Sequence, residues 1–415
     1  MAETRIFGNK WDFGCTVGDA SLTKDAIKGM SLVENIFEPF WVGSLTVEDG
    51  YNLLDDMANI KGDGDDIFTI SMNPEDIAPP LKFKGVINDE TTDTSFQDRA
   101  DMYKIFSIMD EGYFKLNVPI PYGKRYRGNI GAILKEIYEE YELPTGTWDE
   151  GDHEIDIFPE HILPPISFRV SDLVKYLVRI NYKKAGETHV RTLLYWDRKE
   201  EAYVLKGLDT MFNDGKKCEE GFVAGEFGVD IPSEASGGDC KSTWKSLMHG
   251  SSLVTPCLTY TNEWFLNSLV SGYDPELGEH GIREIRLAEV KDKWETEIVK
   301  KLGEDVTPFL PDVMKANKTK LFRSFSFPFK LDNMAKLAEA ELIANMTFYN
   351  LELALQNLGD IDRRAGMFAS VDVNSVFENK KLIGNWLVTK VAHEFTNNSY
   401  YNTINMTKVY TKTNK

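Results

Sequence analysis

The segment Asn385–Lys408, NWLVTKVAHEFTNNSYYNTINMTK, decides the fold. Asn385–Thr396 is rich in β-branched and aromatic residues, and Tyr400–Tyr410 sets Ile404 and Met406 against Thr403, Asn405 and Thr407. A period of two sends successive side chains to opposite faces, so both halves read as half-buried strands. Between them, Asn397-Asn398-Ser399 supplies residues that tolerate a tight turn, and the pair reads as a long β-hairpin.

The chain before this hairpin carries the same signature. Met367–Val373 reads as a strand, and Tyr349, Leu351, Leu353 and Leu355 alternate with Asn350, Glu352 and Ala354. Asp332 is placed to cap a helix running to about Thr347 with Met334, Leu337, Ala338 and Leu342 inward. In the first third, Phe40–Val47 (FWVGSLTV) puts Trp41, Gly43, Leu45 and Val47 on one face. Leu81–Ile87 alternates Leu81, Phe83, Gly85 and Ile87 with Lys82, Lys84 and Val86. Turn signals at Lys61–Asp65, Asn73-Pro74 and Pro79-Pro80 divide these strands.

The middle changes period. Ile130, Ile133, Leu134, Ile137, Tyr138 and Tyr141 make one helical stripe in Asn129–Glu142, which Pro144 ends. A second helix is predicted over Ser171–Asn181, with Leu173, Val174, Leu177 and Ile180 inward and Ser171-Asp172 at its start. Pro159–Pro165 should be extended. Strands return at Thr192–Leu208, Thr210–Trp244 reads as a long glycine-rich loop, and Gly281–Leu302 as a charged helix with Ile285, Ala288, Trp294 and Ile298 as its apolar side. The expected fold class is α+β, mainly β. It has a first antiparallel β-barrel over 1–118, a helical connecting domain over 119–195, a second barrel over 196–240 and 321–415, and an insertion domain over 241–320.

The chain has 415 residues, 42% of them hydrophobic and 27% charged, enough to bury a core in each unit. Its formal net charge of −19 argues against wrapping nucleic acid, which needs a basic footprint, and would repel DNA passing nearby. Met1–Lys10 has no basic start followed by an apolar core, and no run of about 18 apolar residues occurs, so neither a secretory leader nor membrane insertion is expected. Cys15, Cys218, Cys240 and Cys257 form no CxxC pair, which fits free thiols. A local disulfide between Cys218 and Cys240 stays open.

Chemical motifs fail on inspection. His393-Glu394 begins like a zinc-protease HExxH, but Asn397 replaces the second histidine and the dipeptide lies in a strand. Asp63, Asp65 and Asp66 miss the calcium-loop spacing, and Gly238–Ser242 lacks the glycines of a phosphate loop. The pairs around Asp149–Asp152 and Asp360–Asp362 are close in sequence, whereas a glycosidase needs carboxylates opposed across a cleft. No catalytic, cofactor-binding or metal-ligating residue is expected, and the chain is not read as an enzyme.

Phe348–Lys408 resembles the central baseplate hub of contractile-tailed phages and the hub part of type VI secretion spike proteins. The most specific piece is VxxVxHEFxNN, Val388–Asn398. A looser match includes Gly43–Asp49 (GSLTVED), Phe83–Ile87 and Tyr126–Ile180. The resemblance implies a structural protein of the virion whose two barrels are tube-like. A homotrimer of such subunits offers six barrels to the hexameric tail tube and a threefold face to the central spike. Its partners would be copies of itself, the tail tube protein, the central spike protein and baseplate wedge proteins. Phage DNA would pass through without specific binding during genome ejection. The chain carries no OB-fold or β-helix after the hub, so the spike is expected to be separate. Localisation would be the tail baseplate, after assembly in the host cytoplasm. Trp41, Leu45, Val47, Trp386, Val388, Phe395, Ile404 and Met406 are the expected barrel or interface strand residues. The alternatives are a tail-associated cell-wall hydrolase, which needs opposed carboxylates or a metal, and another baseplate or tail-completion protein.

Overall fold

A computed structural model describes residues 11–17, 20–22, 26–48, 67–74, 81–94, 102–163, 168–214, 220–224, 245–247, 250–254, 267–274, 278–302, 306–308, 322–359, 361–373, 381–396 and 399–412. Among the described residues, fourteen strands join in one sheet. The N-terminal seven lie in the order Ala20–Leu22, Trp11–Val17, Ile67–Pro74, Leu81–Thr94, Met102–Asp110, Val42–Glu48, Ile27–Asn35, every neighbour antiparallel. The C-terminal seven lie in the order Gly250–Val254, Leu351–Leu358, Ser399–Lys408, Gly384–Thr396, Phe368–Val373, Glu220–Ala224, Lys245–Leu247.

One strand joins the two sets. Gly384–Thr396 is thirteen residues long and pairs along one edge with Ser399–Thr407. Along the other edge, Gly384–Leu387 pairs with Phe368–Val371, and Lys390–Thr396 pairs with Gly29–Asn35. The changeover falls on Thr389, an extra residue opposite the Asn405–Met406 step. Its carbonyl accepts from Ile36 N at 3.0 Å and its hydroxyl donates to Asn405 O at 3.0 Å. A bulge re-aims a strand locally, and here it hands the edge from one sheet to the other.

The C-terminal set is not wholly antiparallel. Glu220–Ala224 runs parallel to both Phe368–Val373 and Lys245–Leu247. It leaves the helix Leu208–Asp214 and meets partners from distant parts of the chain, and parallel neighbours require such crossovers rather than hairpins. That helix and strand also stand where the Thr210–Trp244 loop was expected.

Each set buries its own core. Leu32, Trp41, Leu45, Val47, Phe83, Phe106 and Ile108 form the first. Leu351, Leu353, Leu355, Trp386, Val388, Val391, Ile404 and Met406 form the second. A third unit packs beside them: the helices Ile130–Glu140 and Val170–Ile180 cover a four-stranded sheet of Tyr182–Ala185, Thr188–Asp197, Ala202–Gly207 and Thr145–Trp148. Asn129 caps the first helix by accepting from Gly131 N at 2.8 Å.

Several local expectations change. The second helix begins at Val170 behind Arg169, which makes no side-chain cap, so Ser171 lies buried in the first turn. Pro159–His161 is a single 3-10 turn rather than an extended segment, because proline at the first position already holds a helical φ. Gly281–Ile285 belongs to the strand Glu279–Ile285, paired with Asn267–Asp274. The helix that follows, Leu287–Trp294, runs on into a π turn at Glu295–Val299 and buries Leu287, Val290, Trp294 and Ile298, while Ala288 is exposed. The last helix, Leu331–Phe348, starts one residue before Asp332, which instead bonds Lys336 at 2.7 Å and Arg283 at 3.1 Å. Tyr349 closes that helix, and the strand begins at Leu351. Asp63, Asp65, Asp66, Gly238–Ser242, Asp360, Asn397, Asn398 and the cysteines Cys218, Cys240 and Cys257 lie outside the described residues.

Candidate functional site

The site with the most built chemistry lies between the two cores, where the shared strand crosses. Ile27–Asn35 buries Met30, Leu32 and Glu34 on one face. A carboxylate on an apolar face costs several kcal/mol unless paired and hydrogen-bonded, and Glu34 is both. Arg198 Nε donates to Glu34 Oε1 at 2.7 Å, and Ala365 N donates to Oε2 at 3.1 Å. The other two Arg198 nitrogens donate to the carbonyls of Ile361 and Arg363. Arg198 thus ties the first sheet, the middle unit and the loop before Phe368–Val373.

The network continues into the terminal hairpin. Arg363 donates to Asn402 Oδ1 at 3.0 Å. Asn402 Nδ2 donates to His393 Nδ1 at 3.0 Å, and the Tyr400 hydroxyl lies 2.7 Å from the same nitrogen. These donors make Nδ1 the acceptor. His393 Nε2 lies 3.8 Å from Glu34 Oε1. Burial, then the positive charges of Arg198 and Arg363, push the His393 imidazole well below its usual range, so it is neutral. The HExxH-like dipeptide therefore serves a hydrogen-bonded joint. Among the described residues, no group of His, Cys, Asp and Glu could hold a metal ion.

A second joint ties the first sheet to the middle unit. Asp110 ends the strand Met102–Asp110 and caps the helix Glu111–Leu116, accepting from Gly112 N at 2.6 Å. Its Oδ1 also accepts from the Tyr203 hydroxyl, on Ala202–Gly207. Burial raises the Asp110 carboxyl to about 7 despite these donors.

The face opposite the cores is continuous across the shared strand. In register, Tyr401, Glu394, Ser31, Ser44, Ser107 and Asp89 form one row, and Gln356, Thr403, Ala392, Val33, Val42 and Met109 lie in the next. Val42, Ser44, Ser107 and Gln356 are exposed. Small uncharged residues hold the middle of these rows, with Tyr401, Glu394 and Asp89 toward the ends of the first and Lys390 beyond the second.

The eight strand residues singled out from sequence divide between the cores. Trp41, Leu45 and Val47 are buried in the first, and Trp386, Val388, Ile404 and Met406 in the second. Phe395 is half-buried and stacks on Tyr400 at 4.2 Å beside the first. The polar joint was missed. Its one local signal is Glu34 occupying the third place in the apolar alternation Met30, Leu32, Glu34, whereas Arg198, Arg363 and Asn402 give none.

No family model and no curated protein matches this sequence. Solved structures do. The tail protein from Neisseria meningitidis MC58 superposes with a TM-score of 0.59 at 9% identity, over 96% of each chain. The 43 kDa tail protein of prophage MuSo2 from Shewanella oneidensis superposes at 0.58 and 10% identity, over 96% of this chain and 98% of that one. A chain of the Francisella PdpA–VgrG complex gives 0.53 at 10% identity, over 98% of this chain and 60% of that one. The fold is therefore that of phage tail proteins and of a VgrG-complex chain, in agreement with the hub resemblance read at the terminal hairpin.

Proposed function

We propose that this chain is the structural hub of a contractile phage tail: a homotrimeric ring subunit that joins a hexameric tail tube to a trimeric spike, and not an enzyme. The observation that carries the reading is the strand Gly384–Thr396, shared by both sheets, which makes two seven-stranded sets one stiff wall. Two such sets per subunit supply six per trimer, the arithmetic a threefold-to-sixfold adaptor needs. In this reading 1–118 is the first tube-like barrel, 321–415 with the strands Glu220–Ala224, Lys245–Leu247 and Gly250–Val254 is the second, the unit that ends at Gly207 connects them, and the segment between Val254 and 321 is an insertion. The strands bearing Trp41, Leu45, Val47, Trp386, Val388, Phe395, Ile404 and Met406 build the ring wall.

The row Tyr401, Glu394, Ser31, Ser44, Ser107, Asp89 suits a duct through which phage DNA slides, because uncharged groups interspersed with carboxylates give phosphates little to grip. Tail tube, spike and wedge proteins are the partners, and the baseplate the location. Size-exclusion chromatography with light scattering tests the reading. Three copies per particle at micromolar concentration are expected, and a strict monomer would overturn it.

A further inference from the structure

The Asp110 joint has a property that its position makes consequential. The first sheet ends at Asp110, whose backbone N–H donates to Trp41 O at 3.2 Å. Its side chain holds both the Gly112 N–H and the Tyr203 hydroxyl. The space is already full, since a methyl group on Gly112 would lie 2.0 Å from the Tyr203 oxygen. Aromatic rings enclose the contact: Phe40 lies 6.2 Å from Tyr203 and 5.3 Å from Tyr113, Tyr138 lies 5.0 Å from Tyr203, and Trp196 4.9 Å.

Among the described residues, few charges face this cluster. On the short helix, Glu111 is engaged by Lys84 at 2.8 Å and Lys115 at 3.4 Å. From Val170–Ile180, Lys175 stands 5.7 Å over the Tyr113 ring. Ile130–Glu140 contributes the buried Tyr138 hydroxyl, whose ionisation burial and the Asp110 charge both oppose. Each group that acts directly on Asp110 is neutral. An anion formed there keeps its hydrogen bonds but gains no counter-charge.

We propose that the Asp110–Tyr203 contact is a proton-controlled seam between the first sheet and the middle unit, shut while Asp110 holds its proton and progressively loosened as that proton is drawn off. The carboxyl binds its proton more tightly in the shut seam, up to about 7, than in an opened one near its ordinary 3.8. Opening therefore releases a proton between those values. The open population should rise about tenfold per pH unit across that window and level off above it.

Hydrogen exchange of the full-length protein at pH 5, 6, 7 and 8, corrected for the intrinsic exchange rate, reads this directly. Peptides covering 36–44, 107–116 and 200–207 should exchange through openings about 50-fold more populated at pH 7 than at pH 5, then rise only about twofold to pH 8. Asp110→Asn should flatten this dependence. Tyr203→Phe removes a donor that favours the anion, so its rise should continue past pH 7. That displacement tests the proposal even where the asparagine variant folds poorly. A wild-type seam whose corrected protection is equal at pH 5 and 7 overturns the proposal. So does Tyr203→Phe loosening the seam equally at every pH, which would mark the contact as structural only.

Discussion

At the joint between the sheets, Glu34 meets Arg198 at 2.7 Å, whereas at the joint with the middle unit Asp110 meets the neutral Tyr203 hydroxyl and backbone N–H groups. Both carboxylates are buried and both tie distant parts of the chain. One is paid for by a guanidinium that also satisfies two carbonyls; the other has no cation beside it among the described residues, and burial raises its carboxyl to about 7. A paired seam depends on one residue, its guanidinium, while an unpaired seam depends on the solvent's acidity.

The largest effect should come from breaking the paired side. Arg198→Met strands Glu34 in an apolar seam and frees the carbonyls of Ile361 and Arg363. A cost of about 3–5 kcal/mol is expected in denaturant unfolding, the range for removing one partner of a buried pair. Arg198→Lys should recover part of it, since lysine keeps the charge and loses the planar fork. A loss below about 1 kcal/mol for Arg198→Met would mean the seam is not held as described.

The pH response sharpens the same contrast, because the two joints carry opposite signs. The folded carboxyl of Asp110 is raised, so its contribution is complete below the ordinary value of 3.8 and is lost as pH climbs to about 7. On the order of 4 kcal/mol is involved. The His393 imidazole is depressed, so its contribution is complete above 6.5 and is lost as pH falls below that. Between roughly pH 4 and 6.5 the two slopes oppose each other. In thermal melts, Asp110→Asn should expose the acid-side loss due to His393. His393→Gln should expose the alkaline-side loss due to Asp110. Parallel wild-type and variant profiles would remove the distinction between the joints.

What could be read in advance follows the range of the interaction. The hairpin and the inward faces of Ile130–Glu140 and Val170–Ile180 rest on periods of two and 3.6, which are local, and all three were legible. The changeover at Thr389 was not, because pairing partners hundreds of residues apart leave no trace in either period. Gly281–Ile285, part of the strand Glu279–Ile285, reads as helix from sequence for a related reason. It lies at the end of a three-stranded sheet with Ile282 71% exposed, so its alternation does not separate apolar from polar. Asp332 reads as a cap because it precedes an apolar stripe, and nothing local signals the competing attraction of Arg283, forty-nine positions earlier. Glu34 differs in kind. Its place in an apolar alternation announces that a partner must exist, but not that the partner is Arg198.

Asp332 completes the comparison as a carboxylate that water already serves. Its side chain is 57% exposed, and Lys336 at 2.7 Å and Arg283 at 3.1 Å both approach it. The hydrogen bond from Lys336 leads in holding its carboxyl below the ordinary range, so whatever it contributes is present above the usual carboxylate value and lost as pH falls. Exposure screens the pair, and a position in the first turn of Leu331–Phe348 adds only a modest interaction with the helix dipole. Asp332→Asn should therefore cost less than about 1 kcal/mol in denaturant unfolding and approach zero in about 1 M salt. The effect of Arg198→Met should persist at that ionic strength, because buried pairs are screened far less. Equal salt sensitivity in the two variants would place Arg198 at the surface and dissolve the contrast between a seam built on charge and a seam built on a proton.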